Sequence, residues 1–118
     1  MIWLYVNSSP VLFSGVPGTI DFIKVVNPGD SSIPVFFVDT SDLKFAERGN
    51  YPGLVGFYVN CHPGDNSLSA IDGTLPPHGI MFAGAVTVRA IGSIKPRDFA
   101  LLVGISYKEK TRGRPGNL

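Results

Sequence analysis

Apolar positions along the chain come in short bouts rather than in the stripe of an amphipathic helix. Each bout is closed by Gly, Pro, Asn, Asp or Ser. The pattern predicts strands at about 2–6, 11–14, 19–26, 33–38, 54–60, 67–71, 79–91 and 99–107. The segments NPGD (27–30) and HPGD (62–65) read as type II turns, with Pro presetting the first central φ and Gly supplying a positive second one. They give VVNPGDSS and YVNCHPGDNS the look of an internal echo, which shared turn chemistry explains better than duplication. DGT (72–74) and LPPHG (75–79) mark further turns. One short helix is expected near 41–48, with Ser41 or Asp42 as its cap. AVTVRAI (85–91) alternates, putting Val86, Val88 and Ala90 on one face and Thr87 and Arg89 on the other. By contrast IPVFFV (33–38), LVGFYV (54–59) and FALLVGI (99–105) are almost unbroken apolar runs, as in strands buried on both faces.

Composition agrees with this pattern. The 118 residues make one domain; Val and Ile number 21, Gly and Pro 24, while Glu numbers two and Gln is absent. The expected class is all-β: an antiparallel β-sandwich or jelly roll, or a small Greek-key barrel. Charged residues are 16% of the chain, against about 25% in an ordinary soluble domain. A surface so poor in charge implies covering partners. The interface positions expected on this ground are Val35, Phe37, Phe57, Val59, Leu101 and Val103 in the two-sided strands. The start, MIWLYVN, reads as a strand rather than a signal peptide, and no apolar run approaches the ~20 residues of a spanning helix. The single Cys61 excludes an intrachain disulfide.

Charge divides the chain. Residues 1–107, the expected β-domain, carry six Lys/Arg and eight Asp/Glu; 108–118 carries four basic residues and one acid. The tail is thus a basic arm, and Lys108, Lys110, Arg112 and Arg114 are its candidate partner-binding residues. TRGRPG (111–116) resembles the core of the AT-hook family. That resemblance implies Arg112 and Arg114 in the minor groove of A·T-rich DNA, with Gly113 permitting close approach. Thr111 stands where the family has Pro, and no further basic residues follow. A protein-binding arm is the preferred reading.

Three chemistries come into question. VFFVDTS with the later LLVGI (101–105) resembles the retroviral-type aspartic proteases, which implies Asp39 as one of two carboxylates sharing a proton and Thr40 as its neighbour. Ser41 stands where that family needs Gly, and the stretch after Gly104 lacks the family's apolar helix, so Asp39 is read as a polar strand end. Cys61, His62, Asp65 and His78 are suitable metal ligands in type, but Cys61 and His62 are adjacent and no ligand spacing links them. No nucleophile elbow or phosphate loop occurs. No catalytic residue, metal or cofactor is therefore expected. In size and composition the chain resembles bacteriophage virion proteins of the capsid decoration (cement) type. The resemblance implies a structural role: clamping capsid subunits, as a homo-oligomer with a trimer favoured, in a virion and made in the host cytoplasm. An Ig-like binding module with contacts at Tyr51, Phe57 or Tyr58 is the alternative from another class, followed by the DNA-binding tail.

Overall fold

The computed structural model describes residues 1–44, 56–92 and 100–110. Nine strands make up the described elements: β1 (Ile2–Val6), β2 (Val11–Ser14), β3 (Gly18–Asn27), β4 (Ile33–Val38), β5 (Gly56–Cys61), β6 (Gly64–Ser69), β7 (Ile80–Phe82), β8 (Val86–Ala90) and β9 (Leu101–Glu109). All pairings are antiparallel. One sheet runs β1-β9-β3-β6, with β7 also on β3; the other runs β2-β8-β4-β5.

The two orders correspond position by position. β1 leads into β2, β3 into β4, β5 into β6 and β8 into β9, so each connection crosses from one sheet to the same rank of the other. A paired ribbon folded over on itself in this way is a jelly roll, a sandwich of two Greek keys. The immunoglobulin order, with strands A, B, E and D in one sheet, is a different arrangement.

Alternation fills the space between the sheets. Val6, Ile23, Val25, Leu101, Val103 and Ile105 face in from the first sheet; Val35, Phe37, Val59, Cys61, Val86, Val88 and Ala90 face in from the second. Each large apolar side chain so buried contributes about 1.5–3 kcal/mol. β3 is the spine of its sheet. β9 runs along one side of it with a register shift at Asp21, while on the other side β6 takes its second half and β7 its first.

The structure corrects several sequence expectations. The strand expected over 79–91 is two, because residues 83–85 leave one sheet for the other and give their amides to Asp39. β6 starts at Gly64, earlier than expected: Asn66 folds back on the turn, accepting from His62 N–H (2.9 Å) and donating to His62 O (2.8 Å). Gly64 takes the expected positive φ of 90°, but Gly29 is not among the positive-φ glycines. Its turn is shaped instead by Asn27, whose Oδ1 accepts from Gly29 N–H at 2.9 Å. The echoing segments are neighbours in space, Asn27 pairing with Gly64, and they carry the chain between sheets in opposite directions.

The two-sided reading holds for β4. Its outer-face residues Phe36 and Val38 are buried in a second small cluster with Ile91. It fails for β5, which alternates, leaving Tyr58 half exposed and stacked on Phe36 at 4.4 Å. Of the helix expected over 41–48, residues 45–48 lie outside the described residues. In the part described, Asp42 N–H donates to Thr40 Oγ1 and Lys44 N–H to Asp42 Oδ1. β9 runs to Glu109, so the expected boundary at 107/108 falls within a strand.

Candidate functional site

The corner at Asp39 follows from the end of an apolar strand. β4 stops at Val38, and the Asp39 carboxylate then accepts from three successive amides: Ala83 to Oδ2 at 2.7 Å, Gly84 and Ala85 to Oδ1 at 3.1 Å each. Successive N–H groups converging on one carboxylate form an anion nest, here filled by the protein's own side chain. Thr87 Oγ1 donates to Thr40 O at 2.5 Å and closes the same corner. In the aspartic protease chemistry, the carboxylate must share its proton with a second carboxylate. Asp39 instead has both oxygens directed at the β7–β8 crossing.

Beside this corner lies an open groove of about 660 Å³. Its walls are apolar at Pro17, Met81 and Phe82 and charged at Asp39, Lys108, Glu109 and Lys110. Lys108 and Glu109 pair with Thr19 and Gly18, and Lys110 N–H donates to Pro17 O at 2.7 Å, so the first residues of the basic arm are held in the sheet. Tyr107, one residue before them, donates its hydroxyl to Val16 O and packs edge-on against Phe13. Burial pushes its phenol above the usual range. Across Thr19 and Lys108 a second concavity of about 470 Å³ holds Asp21, Ser69, His78 and Ser106. The first groove thus sets two cations and two anions beside apolar walls. Arg112 and Arg114 lie outside the described residues, as does Tyr51.

The structure separates the residues with metal-ligand chemistry. Cys61 faces the core, fully buried. His62 faces out, its Nδ1 3.0 Å from Ser32 Oγ. His78 lines the second concavity, away from Cys61. Among the described residues no group of three or more His, Cys, Asp or Glu is placed to hold a metal ion. Burial pushes the Cys61 thiol from an ordinary 9.0 up to about 11. The fold therefore favours the protonated thiol. That contribution is complete below pH 9 and is lost as pH rises toward 11. It amounts to about 1–3 kcal/mol. In urea titrations from pH 8 to 11, Cys61→Ala should flatten part of the wild type's alkaline loss of stability. Parallel curves for the two proteins would contradict this.

The expected interface positions are placed inside the domain. Val35, Phe37, Val59, Leu101 and Val103 belong to the core, and Phe57 packs on it, stacked on Phe37 at 4.8 Å. Their apolar runs serve this chain's own sandwich. Exposed apolar side chains lie elsewhere: Leu12, Val16, Leu43, Tyr58, Ile71 and Met81 are spread over the surface, while Met1, Ile2, Trp3 and Tyr5, 57, 62, 46 and 73% exposed, form a run along the first strand. Trp3 pairs with Gly104 and Tyr5 with Leu102 on the sheet's outer face. A Cβ on Gly104 would come within 2.8 Å of the Trp3 ring and 2.7 Å of Met1 Sδ, so the bare glycine is what lets both lie flat on the sheet. The available signal was a strand without a charge at the edge of a charge-poor chain, but apolar strands are read as core by default.

No family model, no curated protein and no solved structure matches the chain.

Proposed function

We propose that the protein is a non-enzymatic structural subunit of a larger assembly, a virion component that clamps or decorates a capsid lattice. The observation that carries this reading is the exposed apolar and aromatic strip of β1 on a jelly-roll sandwich, a fold common among capsid domains. Fold alone carries no function; a strip of this kind on a charge-poor domain calls for a neighbour. The mixed groove bounded by Lys108 and Lys110 supports a second contact, in which a segment of a neighbouring subunit lies against Pro17, Met81 and Phe82 and the lysines meet its acids or carbonyls. Binding only to the assembled lattice stabilises it by mass action.

Mass spectrometry of purified particles tests the reading. The chain should be present in fixed ratio to the main capsid subunit; finding it only in the soluble fraction would refute the proposal. The arm has its own test. Deleting it from residue 108 would cut into β9, so charge reversal is the better variant. Lys108→Glu with Lys110→Glu should leave the thermal transition within a few degrees of wild type and weaken co-sedimentation with particles. Ion pairs at an exposed site contribute about 0–1 kcal/mol each, so about tenfold weakening is expected, larger at low salt where screening is least. Unchanged co-sedimentation at low salt would remove the lysines from the contact.

A further inference from the structure

We infer that β1 is a self-pairing edge: two copies of the chain join antiparallel through Ile2–Val6, fusing their β1-β9-β3-β6 sheets into one continuous sheet. The particle reading draws on the same strip, but this inference concerns the association of the isolated protein, so sedimentation tests it apart from any particle. It gives a two-fold seam where the sequence suggested a trimer.

The inference starts from how sheets protect their ends. A strand at a sheet edge leaves alternate N–H and C=O groups without a strand partner, and proteins blunt such edges with charge, proline, bulges or shortness. The described strands give this sandwich five edges, of which β7 is protected by its length of three residues. β6 is the polar run GDNSLS, with Asp65 in it. β2 has four residues, lies between Pro10 and Pro17, and carries a register shift between Leu12 and Ser14. β5 exposes one large apolar side chain, Tyr58, and that ring is stacked on Phe36. β1 has none of these protections. It holds no charged residue and no proline, pairs in unbroken register with β9 alone among the described strands, and leaves Ile2, Trp3 and Tyr5 exposed.

The occupant follows from symmetry and charge. Identical antiparallel strands are related by a two-fold axis, the commonest symmetry of homo-oligomers. An uncharged strand meets its own copy without the repulsion that like charges placed opposite would bring. The register is fixed by the faces. Leu4 and Val6 turn to the core while Trp3 and Tyr5 turn out. Residues directly opposite in an antiparallel pair point the same way, so an inner residue must face an inner residue. Full overlap of Ile2–Val6 then centres the axis on Leu4. Ile2 faces Val6 of the other copy across the inner side, which covers an isoleucine that is now 62% exposed. On the outer side Trp3 faces Tyr5 of the other copy, twice, giving the aromatic cross-strand pairs that stabilise sheets.

Sedimentation of the full chain over a range of concentrations tests the seam, with circular dichroism to establish that each variant is folded. The wild type should be a dimer that dissociates on dilution. Tyr5→Lys, at a position open enough to accept it, should raise the dissociation constant by roughly tenfold or more. Tyr58→Lys, on the uncharged edge β5 of the other sheet, should leave it unchanged. The register has a separate readout. Under mild oxidation the double variant Trp3→Cys, Tyr5→Cys should cross-link two chains, since opposite Cα atoms at about 4.5–5.5 Å lie within disulfide reach. Neither single variant should do so, and the buried Cys61 provides no competing thiol. A monomer at every concentration, a dimer indifferent to Tyr5→Lys or broken by Tyr58→Lys, or cross-links in a single variant would each overturn the inference.

Discussion

Replacing Asp39 with Ala is expected to destabilise the domain by about 2–4 kcal/mol and to lower its midpoint of thermal unfolding by on the order of 10 °C. The carboxylate accepts three amides from the crossing between β7 and β8. Hydrogen bonds to a charged group contribute about 1.5–3 kcal/mol each, and less where water can replace the partner. Ala83 and Gly84 are exposed and can turn to solvent, whereas Ala85 is buried and its N–H would lose its partner. This is why the total stays well short of three full bonds. Asp39→Asn retains one acceptor oxygen but turns an NH₂ toward an amide donor, so a loss of about 1–2 kcal/mol is expected. A mere polar strand end would show only a slight effect; the three amides make it larger. The catalytic reading makes the opposite forecast, since an Asn at a catalytic carboxylate removes activity and spares the fold. Thermal unfolding and a peptide-cleavage assay on the same variants decide between them. Unaltered stability together with lost cleavage would return Asp39 to the role of a catalytic acid.

That corner also marks where the sequence stops being readable. β1, β2 and β4 end where the pattern places them, because Asn7, Pro10, Ser14 and Asp39 punctuate their apolar runs locally. The split between β7 and β8 has only Gly84 as local punctuation: IMFAGAVTVRAI is apolar almost throughout, and what fixes the break is a carboxylate 44 residues earlier in the chain. Strand order is illegible for the same reason, since rank within a sheet is set by pairings distant in sequence, such as β1 with β9 and β3 with β6. The sites divide likewise. Lys108 and Lys110 stand out by charge, but the groove they border needs Pro17 and Met81 brought to β9 through β3 and β7. β5 was read as apolar on both sides and β1 as an ordinary strand. Which faces remain wet depends on rank within a sheet, and hydropathy carries no information about rank.

The second large effect is expected at Asn27, one of the few buried polar residues and 2% exposed. Its Nδ2 donates to Ser31 O at 2.9 Å and to Cys61 O at 3.1 Å, and its Oδ1 accepts from Gly29 N–H. One side chain thus shapes the β3–β4 turn and ties it to the last residue of β5. Asn27→Ala leaves these groups unpaired and should lower stability by about 2–3 kcal/mol at any pH. Asn27→Asp is nearly isosteric and should be worse at neutral pH, by about 3–5 kcal/mol, because a buried carboxylate oxygen would face two carbonyl oxygens. Protonation relieves that repulsion and restores a donor. The folded state would hold the proton more tightly than the unfolded chain, whose Asp titrates near 3.9, so the folded pKa is raised. The sign follows: relative to wild type, the deficit is full well above the raised pKa and shrinks as pH falls through it toward about 4. At low pH the Asp variant, with one hydrogen bond regained, should become more stable than the Ala variant, and the two curves should cross. Urea unfolding of the three proteins between pH 3.5 and 8 measures this. A deficit for Asn27→Asp that stays constant with pH would mean that no buried charge forms there, and that water has entered between the two turns.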